Sequence, residues 1–191
     1  MRATPSTVSC GVDEKPTKTK RSLVEYRDPS LDRAIARAAR RMQPRLLKHL
    51  MNVWPPFAAS GIRVAHIADD WRQAQVTLRL RPWNRNYVGT QFGGNLFKMC
   101  DPFWMLLAME RLGRDYIVWD KAGAIDFVSP GRETVQATFV FDDALHAEAI
   151  VATEDGDKFL RWYENDITTA DGTVIARMRL QLYIRRKRRD R

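Results

Sequence analysis

The sequence predicts an α+β fold in which a mainly antiparallel sheet of six strands wraps around one long central helix, with an extra helix before the sheet. Three observations lead to this prediction. Residues 96–109 are apolar around nearly the whole circumference of a helix, which is typical of a buried helix. Six other segments alternate between apolar and polar residues with the period of a β-strand. Short turns rich in glycine, proline and aspartate join consecutive strands, as antiparallel neighbours require.

The domain boundaries follow from changes in composition along the chain. Residues 1–29 are rich in serine, threonine, proline and lysine without any period, and we expect them to form a disordered tail. Apolar residues at helical spacing then predict an N-terminal helix over about 31–52, in which Pro44 produces a kink or separates two shorter helices. One domain is therefore expected over 30–184, followed by a basic tail over 185–191.

The six predicted strands span residues 61–67, 74–81, 116–128, 134–141, 158–168 and 173–184. A short helix over about 144–152 lies among the last four of them. In the second strand the apolar residues share one face, whereas Thr77, Arg79 and Arg81 share the other. The last strand alternates over its whole length, which indicates a place in the middle of the sheet or at the seam of a dimer.

The positive charge of the chain lies mostly outside its predicted domain body. The net charge is +9, yet residues 51–184 carry 14 basic and 17 acidic side chains. A nucleic-acid-binding domain would show the opposite distribution, so no nucleic acid partner is expected. The sequence shows neither a secretory signal nor an apolar run long enough to span a membrane, and Cys10 and Cys100 form no disulfide framework. These features predict a cytoplasmic location.

Asp101 is the one carboxylate inside the apolar segment, and the pattern leaves two interpretations open. In the first, the helix continues through Asp101 and Pro102 kinks it, so that Asn95, Lys98 and Asp101 share one side. Apolar surroundings would then raise the pKa of the Asp101 carboxyl towards a value that suits a general base. In the second, Asp101 is an N-cap, the helix begins at Pro102, and residues 97–100 form a loop.

Glycines precede this helix at Gly89, Gly93 and Gly94. Glycine permits a positive φ and lets another molecule approach the backbone closely. Unpaired N–H groups at the start of a helix can also stabilise an oxyanion. A pair of glycines is equally typical of a plain connection, so their significance depends on their spacing to Asn86 and Asp101.

This spacing resembles the signature of the hotdog-fold acyl-CoA thioesterases of the phenylacetate-degradation type. In that family an asparagine lies seven residues before the first glycine of a His-Gly-Gly motif and an aspartate lies eight residues after it, as Asn86, Gly93 and Asp101 do here. The chain is most similar to a branch known as a domain of unknown function. The motifs that carry this similarity are at residues 89–94, 100–103, 119–121 and 129–132, and the resemblance spans about residues 35–186.

The resemblance implies a hotdog fold and the hydrolysis of an acyl-CoA or a related acyl thioester. Asp101 would activate water or attack the thioester directly, the Gly93 N–H would stabilise the oxyanion, and Asn86 would position the water or the carbonyl. In hotdog enzymes these groups usually meet across a dimer interface, so a homodimer or a dimer of dimers is implied. Coenzyme A enters only as part of the substrate, and no cofactor or metal is expected.

The resemblance also implies a set of substrate-binding residues. They lie in the loop before the helix, at its start, on the following strand and in a later turn, and they are Tyr87, Gly89, Thr90, Phe92, Gly94, Lys121 and Arg132. Phe92 replaces the histidine of the family, which removes a hydrogen bond near the thioester, and no serine or threonine assists the carboxylate from the following strand. Lys121 would hold a phosphate of coenzyme A or pair with Asp101, although a surface lysine or a pair with Asp120 fits the sequence equally well. Arg132 is a further candidate for a phosphate contact.

Other kinds of site are not indicated. His49, His66 and His146 lack metal-ligand spacing, and the sequence contains no CxxC, GxSxG or P-loop motif. Cys100 is expected to be a buried core residue. Two alternatives from the hotdog superfamily stay open: a module that binds acyl-CoA or a lipid without hydrolysing it, which the missing histidine favours, and a dehydratase or hydratase with a histidine beside the carboxylate. A third alternative is an interaction protein whose basic tail engages an acidic partner or membrane surface.

Overall fold

The computed structural model describes residues 43–188 of the chain. These residues lie within one compact unit. The predicted disordered tail, the predicted helix up to residue 42 and the last three residues of the predicted basic tail lie outside the described residues.

Five helices and six strands make up the described part of the chain. The helices are α1 (Pro44–Val53), α2 (Pro55–Ala58), α3 (Gly93–Lys98), α4 (Phe103–Leu112) and α5 (Asp143–Val151). The strands are β1 (Ile62–Ile67), β2 (Gln73–Leu78), β3 (Tyr116–Phe127), β4 (Val135–Val140), β5 (Lys158–Thr168) and β6 (Val174–Arg186). Pro44 is the first residue of α1, where its missing N–H leaves no helical hydrogen bond unmade.

The strands form one sheet in the order β1-β2-β4-β5-β6-β3, and every neighbouring pair is antiparallel. The helix α4 packs against β2, β3 and β6, which belong to both halves of this sheet. The predicted α+β fold, a six-stranded antiparallel sheet around a central helix, is therefore confirmed.

The central helix and the inner face of the sheet share one hydrophobic core. Phe103 at the start of α4 stacks on Phe139 of β4 with ring centroids 5.1 Å apart, and Trp104 meets the same ring edge-on at 5.7 Å. The Trp104 indole N–H donates to Asn165 Oδ1 at 3.0 Å, so its burial leaves no donor unpaired. Because burying one such ring contributes roughly 1.5–3 kcal/mol, these contacts hold α4 firmly against the middle of the sheet.

The two edges of the sheet differ. At β1, the Asn52 side chain of α1 accepts the Val64 N–H at 2.7 Å and donates to the Val64 carbonyl at 3.1 Å, so it pairs both backbone groups of Val64 on this edge. At the opposite edge, β3 is 12 residues long and pairs with β6 alone among the described strands. An uncovered edge of this length offers a row of backbone groups for strand pairing.

Two strand ends differ from the prediction by two residues or more. β2 ends at Leu78 rather than at Arg81, because the chain turns where the Arg81 N–H donates to Asn84 Oδ1 at 2.7 Å. β6 continues to Arg186, which pairs with Tyr116, so the first two residues of the predicted basic tail belong to the sheet. β6 has a neighbour on each side, as its long alternation indicates, and β3 forms the free edge. Within residues 43–188, no helix has both the length and the apolar character needed to cross a bilayer.

Candidate functional site

The central helix is interrupted at Asp101, where residues 99–102 form turns between α3 and α4. The Asp101 N–H still donates to the Phe97 carbonyl at 3.2 Å, whereas Pro102 has no N–H with which to continue the ladder. Pro102 is the capping residue of α4, and no side chain caps this helix. Asp101 is therefore not an N-cap, and a helical path kinked by proline describes the segment better.

The loop before α3 is closed by Asn86. Its side-chain oxygen accepts the Thr90 N–H at 2.9 Å, and its amide donates to the Thr90 hydroxyl at 2.8 Å. Gly89 has a φ of +83°, which favours glycine, and its N–H donates to the Asn86 carbonyl at 3.0 Å. Tyr87 lies at the exposed tip of this turn. The Asn86 amide is thus used within the loop, and it holds Thr90 beside the start of α3.

A cavity of about 360 Å³ opens between this loop, the start of α3 and the β3–β4 connection. Its lining residues are Asn86, Thr90, Gln91, Gly93, Leu96, Phe127, Val128, Ser129, Pro130 and Gly131. The motifs at 89–94 and 129–132 therefore face one space, and the Gln91 N–H joins them by donating to the Gly131 carbonyl at 2.8 Å. The structure brings three predicted site residues together here, and this cavity, a candidate for the catalytic site, is named the catalytic cavity below.

Gly93 presents its N–H at the start of α3, on the wall of this cavity. The N–H has no acceptor among the described residues. A Cβ at Gly93 would lie 2.7 Å from the Phe127 ring, so β3 can pass this close only because the residue is glycine. A Cβ at Gly94 would lie 2.6 Å from the Phe92 ring, and the Phe92 side chain is 52% exposed. The Gly93 N–H is consequently a donor available to a molecule in the cavity.

Asp101 does not line the catalytic cavity. It follows Gly93 by eight residues, which at the helical rise of 1.5 Å per residue separates the two by about 12 Å along the axis. The Asp101 side chain lies exposed on the surface of the chain. A single chain therefore does not place the carboxylate and the N–H donor around one reacting carbon atom.

A second carboxylate lies on the helix-facing side of β3. Asp120 opposes Leu182 of β6, which is fully buried, and opposed residues of an antiparallel pair share a face. A bulge at Lys121 then shifts the register of β3 against β6. Beyond the bulge, Gly123 faces the central helix, since a Cβ added to it would lie 2.6 Å from the Phe97 ring of α3. The Asp120 Oδ1 atom is buried without a hydrogen-bond partner among the described residues.

The pKa values of both carboxyls are raised, and the charge of Asp101 contributes to the shift of Asp120. Burial, and after it the charge of Asp101, raises the pKa of Asp120 from its ordinary 3.8 to about 7. Asp101 is the more exposed of the two, yet partial burial of its carboxyl also raises its pKa. Because two like charges near each other are costly to ionise together, a negative charge on Asp101 makes the Asp120 carboxyl harder to deprotonate.

The two cations predicted to contact phosphate lie at the surface. Lys121 is the bulged residue of β3 and is exposed. It forms no ion pair with Asp101 or Asp120 in the described structure, so the surface lysine is the interpretation that agrees with the structure. Arg132 is exposed directly after Gly131 of the catalytic cavity. Phosphate binding by either cation stays a prediction.

Cys100 is fully buried, as predicted for a core residue. Burial raises the pKa of its thiol to about 12, against the opposing effect of Asn165, whose Nδ2 donates to Cys100 Sγ at 3.6 Å. The thiol is therefore protonated and poorly suited to nucleophilic chemistry. Among residues 43–188, no group of three or more histidine, cysteine, aspartate or glutamate side chains is placed to hold a metal ion.

Two contributions to this region have no clear signal in the sequence. Phe127 belongs to a distant strand, and only the fold places its ring against Gly93. Simple alternation would put Asp120 on the same face of β3 as the exposed Asp126. Because of the bulge at Lys121, Asp120 instead lies on the opposite face, towards the helix. A bulge of this kind cannot be read from the periodicity of one strand.

Comparisons with known proteins agree on one family and one fold. The family model described as a domain of unknown function (DUF4442) matches residues 43–184, and a comparison with curated protein sequences finds no match.

Several solved structures are similar to this chain. A Pseudomonas aeruginosa protein of unknown function, described as a probable thioesterase, is similar with a TM-score of 0.66 and 17% identity, and the match covers 76% of this chain and 97% of that protein. A Haemophilus influenzae thioesterase has a TM-score of 0.57 and 15% identity, over 76% of this chain and 92% of its own. A Chlorobaculum tepidum protein of unknown function has a TM-score of 0.58 and 16% identity, over 76% and 98% respectively. At these identities the solved structures share the fold with this chain, and the predicted hotdog fold is confirmed.

Proposed function

The chain belongs to the DUF4442 family, and we propose that it hydrolyses the thioester of an acyl-CoA or of a related acyl thioester. The observation that carries this proposal is the free Gly93 N–H at a cavity that also contains Asn86 and Thr90. Asp101, a carboxylate with a raised pKa, lies two helical turns further along the same segment. Similarity to solved proteins described as thioesterases supports the same class of reaction.

In the proposed reaction Asp101 acts as the base. It takes a proton from water while the water oxygen bonds to the thioester carbon, and the Gly93 N–H donates to the carbonyl oxygen as that oxygen becomes negative. The C–S bond then breaks, the proton passes to the departing sulfur, and the products are a carboxylic acid and a free thiol. Direct attack by the Asp101 carboxylate, followed by hydrolysis of the anhydride, leads to the same products.

Asp120 supports this role of Asp101. Because burial and the charge of Asp101 both raise the pKa of Asp120, Asp101 is the member of the pair that ionises more readily and is the candidate to accept a proton from water. Asp120 touches no reacting atom in this proposal and is a positioning residue.

Two chains are required to complete the proposed site, since Asp101 and Gly93 lie about 12 Å apart on one chain. The open edge of β3 supplies a surface for the second copy, and Trp119, Phe127 and Val128 on or beside this strand are about half exposed. Pairing of two β3 edges around a twofold axis would cover these apolar groups and the free backbone row. We therefore propose a homodimer, or a dimer of dimers, in which Asp101 of one chain serves the catalytic cavity of the other.

The test is the release of free thiol from a panel of acyl-CoAs by the purified protein. Asp101→Asn is expected to lower kcat at least 10³-fold, because it removes the only base of the proposed step. Asp155→Asn, which changes an exposed carboxylate away from β3, is the matched control and should keep wild-type turnover. Full activity in Asp101→Asn would refute the base, and no thiol release by the wild type from any acyl chain would refute hydrolysis.

A second candidate is a module that binds acyl-CoA or a lipid without hydrolysing it. The exposed Phe92 side chain at the start of α3 favours it, because an apolar ring there offers contact area to an acyl group but no hydrogen bond to a thioester. Calorimetric binding of acyl-CoA without turnover on any chain length would select this function.

The dehydratase alternative needs a histidine beside Asp101. His66 lies on β1, at the edge of the sheet opposite to Asp120 of β3, and His146 lies on α5 near Asp143, whose pKa it helps to lower. Neither position supports this alternative. The cytoplasmic location and the role of the basic tail stay predictions.

A further inference from the structure

A second cavity, of about 270 Å³, lies beside β1 and the end of β2, and none of the predicted catalytic residues lines it. Its lining residues are Asn52, Ala58, Gly61, Ile62, Arg63, Arg79, Arg81 and Trp83. The lining contains three arginines and no carboxylate. This cavity, defined by Arg63, Arg79, Arg81 and Trp83, is named the arginine cleft.

The strand register brings the three arginines to one side of the sheet. Arg63 of β1 is directly opposed to Thr77 of β2, so the two side chains share the outward face. Arg79 follows directly after the end of β2 and Arg81 lies at the turn beyond it, and both line the same cavity as Arg63. Gly61 of the preceding turn also lines this cavity.

Hydrogen bonds from the Asn84 side chain hold the backbone at Arg79 and Arg81. The buried Asn84 donates from its Nδ2 to the Ser60 and Arg79 carbonyls at 2.8 Å each and accepts the Arg81 N–H at 2.7 Å. A Cβ at Gly61, whose φ is +77°, would lie 2.6 Å from the same Nδ2 atom. The cleft is thus built on a turn whose backbone is held by Asn84 at Arg79 and at Arg81.

The charge of the arginine cleft is not neutralised within the described chain. Arg63, Arg79 and Arg81 form no ion pair with the described carboxylates, whereas Arg72 and Arg111 both pair with Asp143. The surroundings make this cluster unusual, because residues 51–184 carry more acidic than basic side chains. Three like charges on one face repel each other, and an anion that binds between them removes the repulsion. Planar guanidinium groups suit phosphate oxygens, which they contact through paired hydrogen bonds.

Trp83 adds a second kind of contact to the same cleft. Its side chain is 70% exposed although it lies on the cleft wall, so its flat ring is available to a ligand. An aromatic ring next to arginines favours a group that combines a planar heteroaromatic base with phosphates.

We propose that the arginine cleft binds the phosphorylated nucleotide portion of a ligand, with its phosphates on Arg63, Arg79 and Arg81 and its base on Trp83. The identity of the ligand rests on the proposed function: for an acyl-CoA substrate, the nucleotide is the adenosine phosphate end of coenzyme A. The alternative source of the same chemistry is a free nucleotide that regulates the protein.

The experiment is isothermal titration calorimetry on the Asp101→Asn protein, which keeps the cleft and does not consume a thioester. The probes are coenzyme A, adenosine 3′,5′-bisphosphate, pantetheine and inorganic phosphate. Coenzyme A and the bisphosphate should bind, with affinities that fall as salt rises, and pantetheine should not. Arg79→Ala and Arg81→Ala should each weaken nucleotide binding about tenfold. Arg114→Ala removes one charge outside the cleft and should leave binding unchanged.

Each outcome decides between specific possibilities. Nucleotide binding that is indifferent to Arg79→Ala and Arg81→Ala overturns the proposal, as does binding of inorganic phosphate as tightly as the bisphosphate. Tight coenzyme A binding with none of the bisphosphate also overturns it, because pantetheine would then supply the affinity. The experiment separates failure of this proposal from failure of the hydrolase function. If the wild type releases thiol but nucleotide binding does not depend on the arginines, only the cleft proposal is refuted. If binding depends on the arginines but the wild type releases no thiol, only the hydrolase function is refuted.

Discussion

Asp120→Asn should change how the stability of the protein depends on pH. In the folded chain the pKa of Asp120 is about 7, against an ordinary 3.8. Between these two values the unfolded chain loses the proton while the folded chain keeps it, so the free energy of unfolding of the wild type falls as pH rises. A tenfold change in acid dissociation corresponds to about 1.4 kcal/mol, so the full shift amounts to about 4 kcal/mol. The asparagine stays neutral and does not contribute this fall.

The assay is urea unfolding from pH 4 to pH 8 at one protein concentration, followed by circular dichroism. The free energy of unfolding of Asp120→Asn should rise relative to the wild type by about 4 kcal/mol across this range, because the wild type must ionise a buried carboxyl at the upper end. Asp126→Asn is the control: it loses an exposed pair with Arg179 at 4.0 Å, and its difference from the wild type should change by less than about 1 kcal/mol. Identical pH dependence in Asp120→Asn and the wild type would refute the burial and charge assigned to Asp120.

Three further predictions address the site and the core. Gly93→Pro places a residue suited to the first position of α3 but removes the backbone N–H. Gly93→Ala retains the N–H and presents a similar Cβ to Phe127, so it is the control. The kcat of Gly93→Pro should be about 10²–10³-fold lower than that of Gly93→Ala. Equal kcat in the two variants would exclude the N–H as oxyanion donor. Asn86→Ala removes two hydrogen bonds to Thr90 and should lower the free energy of unfolding in urea by about 1–3 kcal/mol; an unchanged value would show that the loop holds without them. Phe103→Ala should lower it by about 3–5 kcal/mol, since the ring is fully buried against the sheet, and a loss below 1 kcal/mol would contradict the described core.

The fold was accessible from the sequence because each strand buries one face. β5 matches its predicted bounds, and the predicted short helix differs from α5 by one residue at each end. The all-round apolar character of the central segment identified a buried helix, but it could not show the interruption at residues 99–102. That interruption depends on Pro102, and the sequence pattern was equally compatible with a helix start at this proline.

The candidate site was accessible only in part, because spacing along the chain does not determine side-chain partners. Asn86 and Gly93 line one cavity, yet the Asn86 amide bonds to Thr90 within its own loop, which the separation of the two residues does not reveal. Arg79 and Arg81 alternate visibly in the sequence, whereas Arg63 joins them only through the pairing of β1 with β2. Asp120 turns towards the helix because of a bulge, and a bulge follows from the packing of two strands rather than from one of them.

The most direct test of the proposed site is the activity of a purified heterodimer in which one chain carries Asp101→Asn and the other carries Gly93→Pro, isolated through two different affinity tags. If each site uses Asp101 of one chain and Gly93 of the other, one of the two sites is intact, and the heterodimer should release thiol at about half the wild-type rate. Both parent homodimers should be inactive. If Asp101 and Gly93 of the same chain formed a site, the heterodimer would contain none, and activity no higher than that of the parents would contradict the two-chain site.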